Sequence, residues 1–256
     1  MLAIPAIPAT RRTAFGLLLA LPLLCSLTLA VLPSPVHAAT SGSGRSASET
    51  RNVAEFQAIT LSGAMDLVVR QGAQQQVQVQ ADDNLLPLLE TLVETTKQGS
   101  TLVVRWKRGE GLRYRSKVLV TVVVPKLTAV GSSGSGDIRV ETFNTQALQV
   151  SLSGAGDAQL DGLTTDDLAV RISGSGNVVG KGAATRLAVS ISGSGDVALA
   201  DMRSDDVAIR IAGSGNVAVN AQKTLSVNIA GSGDVSYMGN AALTSKIASS
   251  GSVKKK

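Results

Sequence analysis

Between residues 146 and 230 apolar side chains alternate with small or polar ones in short, evenly spaced runs. The runs are Leu148/Val150/Leu152, Leu168/Val170/Ile172, Leu187/Val189/Ile191, Val207/Ile209/Ile211 and Leu225/Val227/Ile229. A period of two marks strands with one buried face. A Gly-(Ser/Ala)-Gly-(Asp/Asn) corner follows each run, and one more precedes the first. The corner residues are Gly134, Gly136 and Asp137; Gly154, Gly156 and Asp157; Gly174, Gly176 and Asn177; Gly193, Gly195 and Asp196; Gly213, Gly215 and Asn216; Gly231, Gly233 and Asp234. Successive first glycines are 20, 20, 19, 20 and 18 residues apart. A second short alternation comes after each corner, as in Ile138/Val140, Val197/Leu199 and Val217/Val219, and a polar turn such as Ala200–Asp205 closes the unit. A worn copy stands at Ser249–Ser252 and an earlier variant at Gly63–Asp66.

No segment carries a helical period, and the glycines would break one. A propeller blade needs about 40 residues, twice the repeat. The unit fits one coil of a parallel β-solenoid, an all-β fold in which each strand pairs with its equivalent about 4.8 Å away. Leu168, Leu187, Val207 and Leu225 then form one inward column. The glycines are expected to supply φ > 0 at a sharp corner, which costs other residues roughly 1–2 kcal/mol. The Asp or Asn after each corner is expected to hydrogen-bond nearby backbone and to stack along one edge. Stacked carboxylates repel; interposed Asn relieves part of this, and a bound cation would relieve more. Calcium-binding nonapeptide repeats place an Asp every nine residues in G-G-x-G-x-D, about half the period found here.

Residues 51–125 form a differently organised β-rich part, 126–253 the solenoid and 254–256 a lysine tail, after a Gly/Ser-rich linker over 39–50. Val53–Arg70 reads as a first coil or capping strands, and Val77–Gln80 as a strand. Asp83–Val93 reads as a short helix or turn limited by Pro87. Leu102–Arg108 and Leu112–Val124 read as a hairpin through Gly109-Glu110-Gly111. Leu102, Val104, Trp106, Leu112, Tyr114, Val118 and Val120 put apolar residues on its even positions, and its odd positions hold Arg105, Lys107, Arg113, Arg115 and Lys117. Five cations on one face are either a solvated surface or a candidate polyanion patch for lipopolysaccharide, acidic glycan or sulfated polysaccharide.

The leader bears on compartment. Arg11 and Arg12 precede an apolar run from Ala14 to Leu32, then Pro33-Ser34-Pro35 and Val36-His37-Ala38. This order reads as a secretory signal cleaved after Ala38; a retained anchor is the competing reading, since the run is near spanning length. Cleavage removes the one Cys and the one His of the chain. Disulfides, Cys–His and Ser–His–Asp nucleophiles and zinc sites built on Cys or His are then excluded, and no cofactor is expected. Aromatics are 2% of the 256 residues, as a narrow coil requires.

Three stretches complete the picture: Val53-Ala54-Glu55-Phe56-Gln57-Ala58-Ile59, Gly63-Ala64-Met65-Asp66-Leu67-Val68-Val69-Arg70-Gln71-Gly72, and Val79-Gln80-Ala81-Asp82-Asp83-Asn84-Leu85-Leu86. Together with the Ser-Gly-Ser-Gly-Asp repeats they resemble the GIN domain, the "putative auto-transporter adhesin head" domain of unknown function (DUF2807). The resemblance covers about Arg51 to Val253. It implies a right-handed parallel β-helix in an exported, mostly bacterial protein, and it brings no catalytic residues. No C-terminal stretch is long enough for a translocator barrel, so self-transport is not expected.

Three functions stay open. The first is a non-enzymatic envelope or surface solenoid that binds glycans or other polyanions through the basic hairpin, without nucleic acid in vivo and without a membrane span in the mature chain. The second is a structural protein of the envelope. The third is a polysaccharide-active enzyme using Asp166-Asp167 and Asp205-Asp206, although neighbouring residues on a strand point to opposite faces.

Overall fold

Each repeat becomes one coil of a parallel stack. The computed structural model describes residues 39–109 and 111–256; the leader and its cleavage after Ala38 lie outside the described residues. Five long strands wrap the coils from one glycine corner to the next: β11 (Ile138–Leu152), β12 (Ala158–Ile172), β13 (Val178–Ile191), β14 (Val197–Ile211) and β15 (Val217–Ile229). They pair in parallel and in register, so Leu168 meets Leu187, Leu187 meets Val207 and Val207 meets Leu225. These four are 1–2% exposed. The inward column expected from the alternation is therefore the core, and it is aliphatic because the same position recurs in every coil.

The corner glycines are needed for a different reason from the one expected. None of those from Gly134 to Gly233 has positive φ; of the corner glycines only Gly63, in the early variant, does. The coils approach too closely for a side chain. A Cβ on Gly154 would lie 1.8 Å from the Gly134 carbonyl oxygen, and one on Gly193 would lie 1.9 Å from that of Gly174. Those carbonyls accept hydrogen bonds from the next coil: Ala155 N–H donates to Gly134 O at 3.0 Å and Ser194 N–H to Gly174 O at 3.0 Å.

The Asp/Asn column forms a continuous ladder beside them. The N–H groups of Asp137, Asp157, Asn177, Asp196, Asn216, Asp234 and Ser252 each donate to the side-chain Oδ1 one coil back, at 2.6–3.1 Å. The first acceptor is Asp66, 71 positions earlier in the chain. Asn177 Nδ2 also donates to Asp157 Oδ1 at 3.0 Å, and Asn216 Nδ2 to Asp196 Oδ1 at 3.2 Å. The interposed amides thus give the carboxylates a donor as well as removing a charge.

The N-terminal part is threaded into the same stack. Strands β3 (Ala58–Ser62) and β4 (Asp66–Gln71) form a coil around Gly63. The chain then runs outward through β5 (Gln76–Asp82), a three-residue 3-10 turn at Leu86–Leu88, and β6 (Leu89–Thr96). It returns through β7 (Gly99–Trp106) and β9 (Leu119–Val124), and β10 (Ala129–Ser132) leads into β11. Strand β3 lies between β7 and β10, and β4 between β9 and β11, all parallel. The segment leaving β9 must therefore step over the β3–β4 coil. Gln71 clamps that crossing: its Nε2 donates to Pro125 O and Asn144 O at 3.2 and 2.9 Å, and its Oε1 accepts from Asn144 N–H at 2.9 Å.

Two further expectations are corrected. The short helix or turn read over Asp83–Val93 is a turn and a 3-10 helix that ends at Leu88; from Leu89 the chain is instead strand β6, whose antiparallel partner is β7. The Gly/Ser-rich stretch is not loose either. It holds β1 (Thr40–Ser41) and β2 (Ser46–Thr50), and β2 pairs antiparallel with β5. Strands β2, β5 and β6 close one end of the stack. At the other end β16 (Val235–Met238) pairs with β18 (Val253–Lys255), and β15 pairs with β17 (Ala242–Ile247). Among the described residues β17 pairs only with β15, and Leu243 and Ile247 are each 40% exposed.

Candidate basic and aromatic loop

The hairpin expected over 102–124 does not form. Strand β7 takes β6 as its antiparallel partner, and β8 (Leu112–Arg113) pairs in parallel with β1. The alternation correctly reported a strand with two faces, but the partner comes from outside the segment. What remains is a loop from Lys107 to Val118, standing where the other coils have a glycine corner.

Its sequence-assigned cations separate into two groups. Arg105 lies on β7, within 3.0 Å of Glu90 and 3.2 Å of Glu94. The hydrogen bond to Glu90 and the nearby charges push its pKa up. Lys117 lies 2.6 Å from Asp66, at the start of the Asp/Asn ladder, and its pKa is raised by that hydrogen bond. Lys107, Arg113 and Arg115 are exposed, and no acid pairs with them among the described residues. Arg108, which parity placed on the other face, is exposed and unpaired in the same way.

The loop carries an aromatic pair. Tyr114 stacks on Trp106 with ring centroids 5.5 Å apart and planes 19° apart. Trp106 also covers Gly63, where an added Cβ would lie 3.2 Å from the indole. The indole thus seats the loop on the first glycine corner, and Tyr114 stays 39% exposed among the arginines.

A buried carboxylate fixes the loop backbone. Asp82, fully buried, accepts from Arg115 N–H at 2.9 Å, Ser116 N–H at 3.2 Å, Ser116 Oγ at 2.8 Å and Gly44 N–H at 2.8 Å. Burial alone would raise its pKa; those four donors outweigh it and bring the group down to about 2. The Gly/Ser stretch zips along the same loop, with Thr40 N–H donating to Gly111 O and Gly42 N–H to Arg113 O, each at 2.7 Å. Sequence alone could not assign Asp82, because its donors lie 33–38 positions away.

Three of the four carboxyls in the two Asp pairs are tied to other partners. Asp167 pairs with Arg186, whose hydrogen bond lowers the carboxyl pKa. Asp205 lies 2.9 Å from Lys223, and Asp206 accepts from Thr224 Oγ1 at 2.7 Å. Asp166 and Asp205 both border an open cavity of about 860 Å³ that Thr145, Thr165 and Arg203 also line.

Residues 55–241 match the family model described as "Putative auto-transporter adhesin, head GIN domain". No curated protein matches the chain. The fold is similar to the crystal structure of a putative adhesin from Bacteroides fragilis NCTC 9343, with a TM-score of 0.76 and 24% identity over 85% of this chain and 100% of that one. It is also similar to a putative lipid binding protein from Parabacteroides distasonis ATCC 8503, with a TM-score of 0.71 and 24% identity over 86% of this chain and 100% of that one. A putative adhesin from Parabacteroides merdae ATCC 43184 follows at 0.63, with 22% identity over 85% and 98% of the two chains.

Proposed function

The chain belongs to the GIN-domain family of adhesin-head proteins, and we propose that it is an exported, non-enzymatic binding module of the cell envelope or surface. The stack is the scaffold, and the loop from Lys107 to Arg115 is its contact surface for anionic groups. The observation that carries this reading is four exposed cations without an acidic partner among the described residues, on the loop that bears the stacked Trp–Tyr pair and whose Arg115–Ser116 backbone is held by buried Asp82. Unpaired guanidinium groups on a fixed backbone bind sulfate, phosphate or carboxylate without first breaking an ion pair. An exposed tyrosine adds a flat face for a sugar ring or a lipid interface. Among the solved structures of this fold, the names adhesin and lipid binding protein are both those of binding proteins. The ion pairs on Asp167 and Asp205 leave neither adjacent pair with both carboxyls free, as acid–base catalysis by the two together would need.

The test replaces Lys107, Arg108, Arg113 and Arg115 with Gln together. The parent is expected to bind heparin and lipopolysaccharide at low salt, and the variant to lose most of that binding while keeping its melting temperature. Vesicles carrying an anionic phospholipid separate a lipid headgroup from a glycan as the source of the anion. Equal retention of parent and variant would overturn the assignment to this loop.

A further inference from the structure

The outer face of β12–β15 and β17 carries a second cationic feature, which neither the repeat grammar nor the basic loop accounts for. The register places Arg171 beside Ser190, Ser190 beside Arg210, Arg210 beside Asn228 and Asn228 beside Lys246. One outward row therefore reads Arg, Ser, Arg, Asn, Lys, with a cation on every second coil. Arg171, Arg210 and Lys246 are all exposed, and none has an acidic partner among the described residues; Arg171 hydrogen-bonds only the Gln149 amide. With a coil rise of about 4.8 Å the cations recur every ~9.6 Å, and the row spans about 19 Å.

The ground on both sides is low. The neighbouring outward row holds Ala169, Ala188 and Ala208 in register, and these alanines help line an open groove of about 680 Å³. On the corner side stand Ser173, Ser192 and Ala212, each donating its backbone N–H to the coil before it. Of the acids nearest the groove, Asp167 is paired with Arg186, and Asp206 accepts from Thr224 Oγ1 and faces the charge of the same arginine. A linear chain laid along the stack would meet small side chains beneath it and one positive charge per two coils beside it.

The spacing selects the class of chain. Phosphates of a nucleic acid recur every ~3.4 Å along each strand. Alternate side chains of an extended peptide recur every ~6.7 Å. Both place their groups closer together than ~9.6 Å, whereas a disaccharide in an extended polysaccharide is close to two coil rises long. We infer that this row is a binding site for a linear acidic polysaccharide carrying one carboxylate or sulfate on every second sugar, aligned with the solenoid axis.

The inference does not depend on the basic loop, and the test keeps the two apart. Hyaluronan oligosaccharides, with one carboxylate per disaccharide, are the probe, and the full chain is used at low salt. Affinity should rise from the tetrasaccharide to the hexasaccharide, as the third cation is reached, and level off beyond. Polygalacturonate, charged on every sugar, and oligoglutamate should bind more weakly at equal charge. Arg171→Gln with Arg210→Gln and Lys246→Gln should weaken hexasaccharide binding about tenfold or more, and should flatten its salt dependence because fewer counterions are released. The spacing itself is tested by Ser190→Arg combined with Arg210→Ser, which keeps the number of cations and breaks their period. That variant should also bind more weakly. Undiminished binding by the respaced variant, or equal binding of polygalacturonate or oligoglutamate, would overturn the inference. The loop variant lacking Lys107, Arg108, Arg113 and Arg115 should still bind the hexasaccharide. Its failure to do so would place hyaluronan on the loop and overturn the row, whereas loss of heparin binding alone bears only on the loop.

Discussion

Gly193 packs against Gly174 so closely that a methyl group would have to share space with a carbonyl oxygen, at 1.9 Å. The oxygen cannot retreat, because it accepts the Ser194 N–H that joins the two coils. Gly193→Ala should therefore cost about 2 kcal/mol or more, as overpacking against fixed atoms does. Ala208→Ser, on the exposed side of β14, should change stability by less than about 0.5 kcal/mol. Urea unfolding of the two variants checks this, and equal costs would contradict the close-approach account.

The Asp/Asn ladder makes a prediction about charge order. Asn177→Asp would place a carboxylate directly beside Asp157 and Asp196 and would remove the Nδ2 donation to Asp157. A loss of about 1 kcal/mol at neutral pH is expected, the scale of like charges set opposite each other on neighbouring strands. The loss should shrink in high salt, because the edge is exposed and screening acts over roughly 10 Å at 0.1 M. Thermal melts at low and high ionic strength read this directly.

Asp82 predicts an acid-sensitive loop. Its folded pKa, about 2, lies below its usual 3.8. A group depressed on folding contributes stability that is fully present above its unfolded pKa and is lost as pH falls through the folded one. The contribution should therefore fade between about pH 4 and pH 2. Asp82→Ala should lower the melting temperature by several degrees at pH 7, and that difference should close on acidification. It should also raise amide exchange at Arg115 and Ser116, which lose their acceptor. Unchanged exchange there would show that Asp82 does not hold the loop.

The uncovered end predicts self-association. Strand β17 presents Leu243 and Ile247, and Lys254 and Lys255 stand on the strand that follows it in the chain, β18, which pairs with β16. Charged residues beside an open edge discourage pairing with another chain. Replacing Lys254, Lys255 and Lys256 with Gln should raise the sedimentation coefficient at low salt, and adding Leu243→Gln should reverse the change. Equal sedimentation of the parent and the lysine variant would mean that these charges do not guard the end.

The repeated coils were legible because the same residue type recurs at the same place, and stacking turns that recurrence into contact. Leu168, Leu187, Val207 and Leu225 needed nothing more than their alternation and spacing. The reason for the glycines was not legible, since a bare Gly is equally consistent with positive φ and with a close neighbour. The basic hairpin misled for a related reason. Alternation from Leu102 to Val124 reports which face a side chain takes, but not which strand lies beside it. Glu90 and Glu94 neutralise Arg105 from β6, which parity within the segment could not reveal. Asp82 and Gln71 act through partners more than 30 and 50 positions away, and no local pattern marks them.

The insertion of β3 and β4 between coils that follow them in the chain gives the two ends different mechanical characters. Each coil from β12 to β17 touches only its neighbours in sequence, so a pull on residue 256 can peel them away one at a time. Strands β3 and β4 are gripped on both sides by segments synthesised later. A pull that reaches residue 58 must shear two parallel interfaces together before any strand is released. A tether entering near residue 39 would therefore load the end that resists, while the far coils unravel first and spread the force over a longer extension.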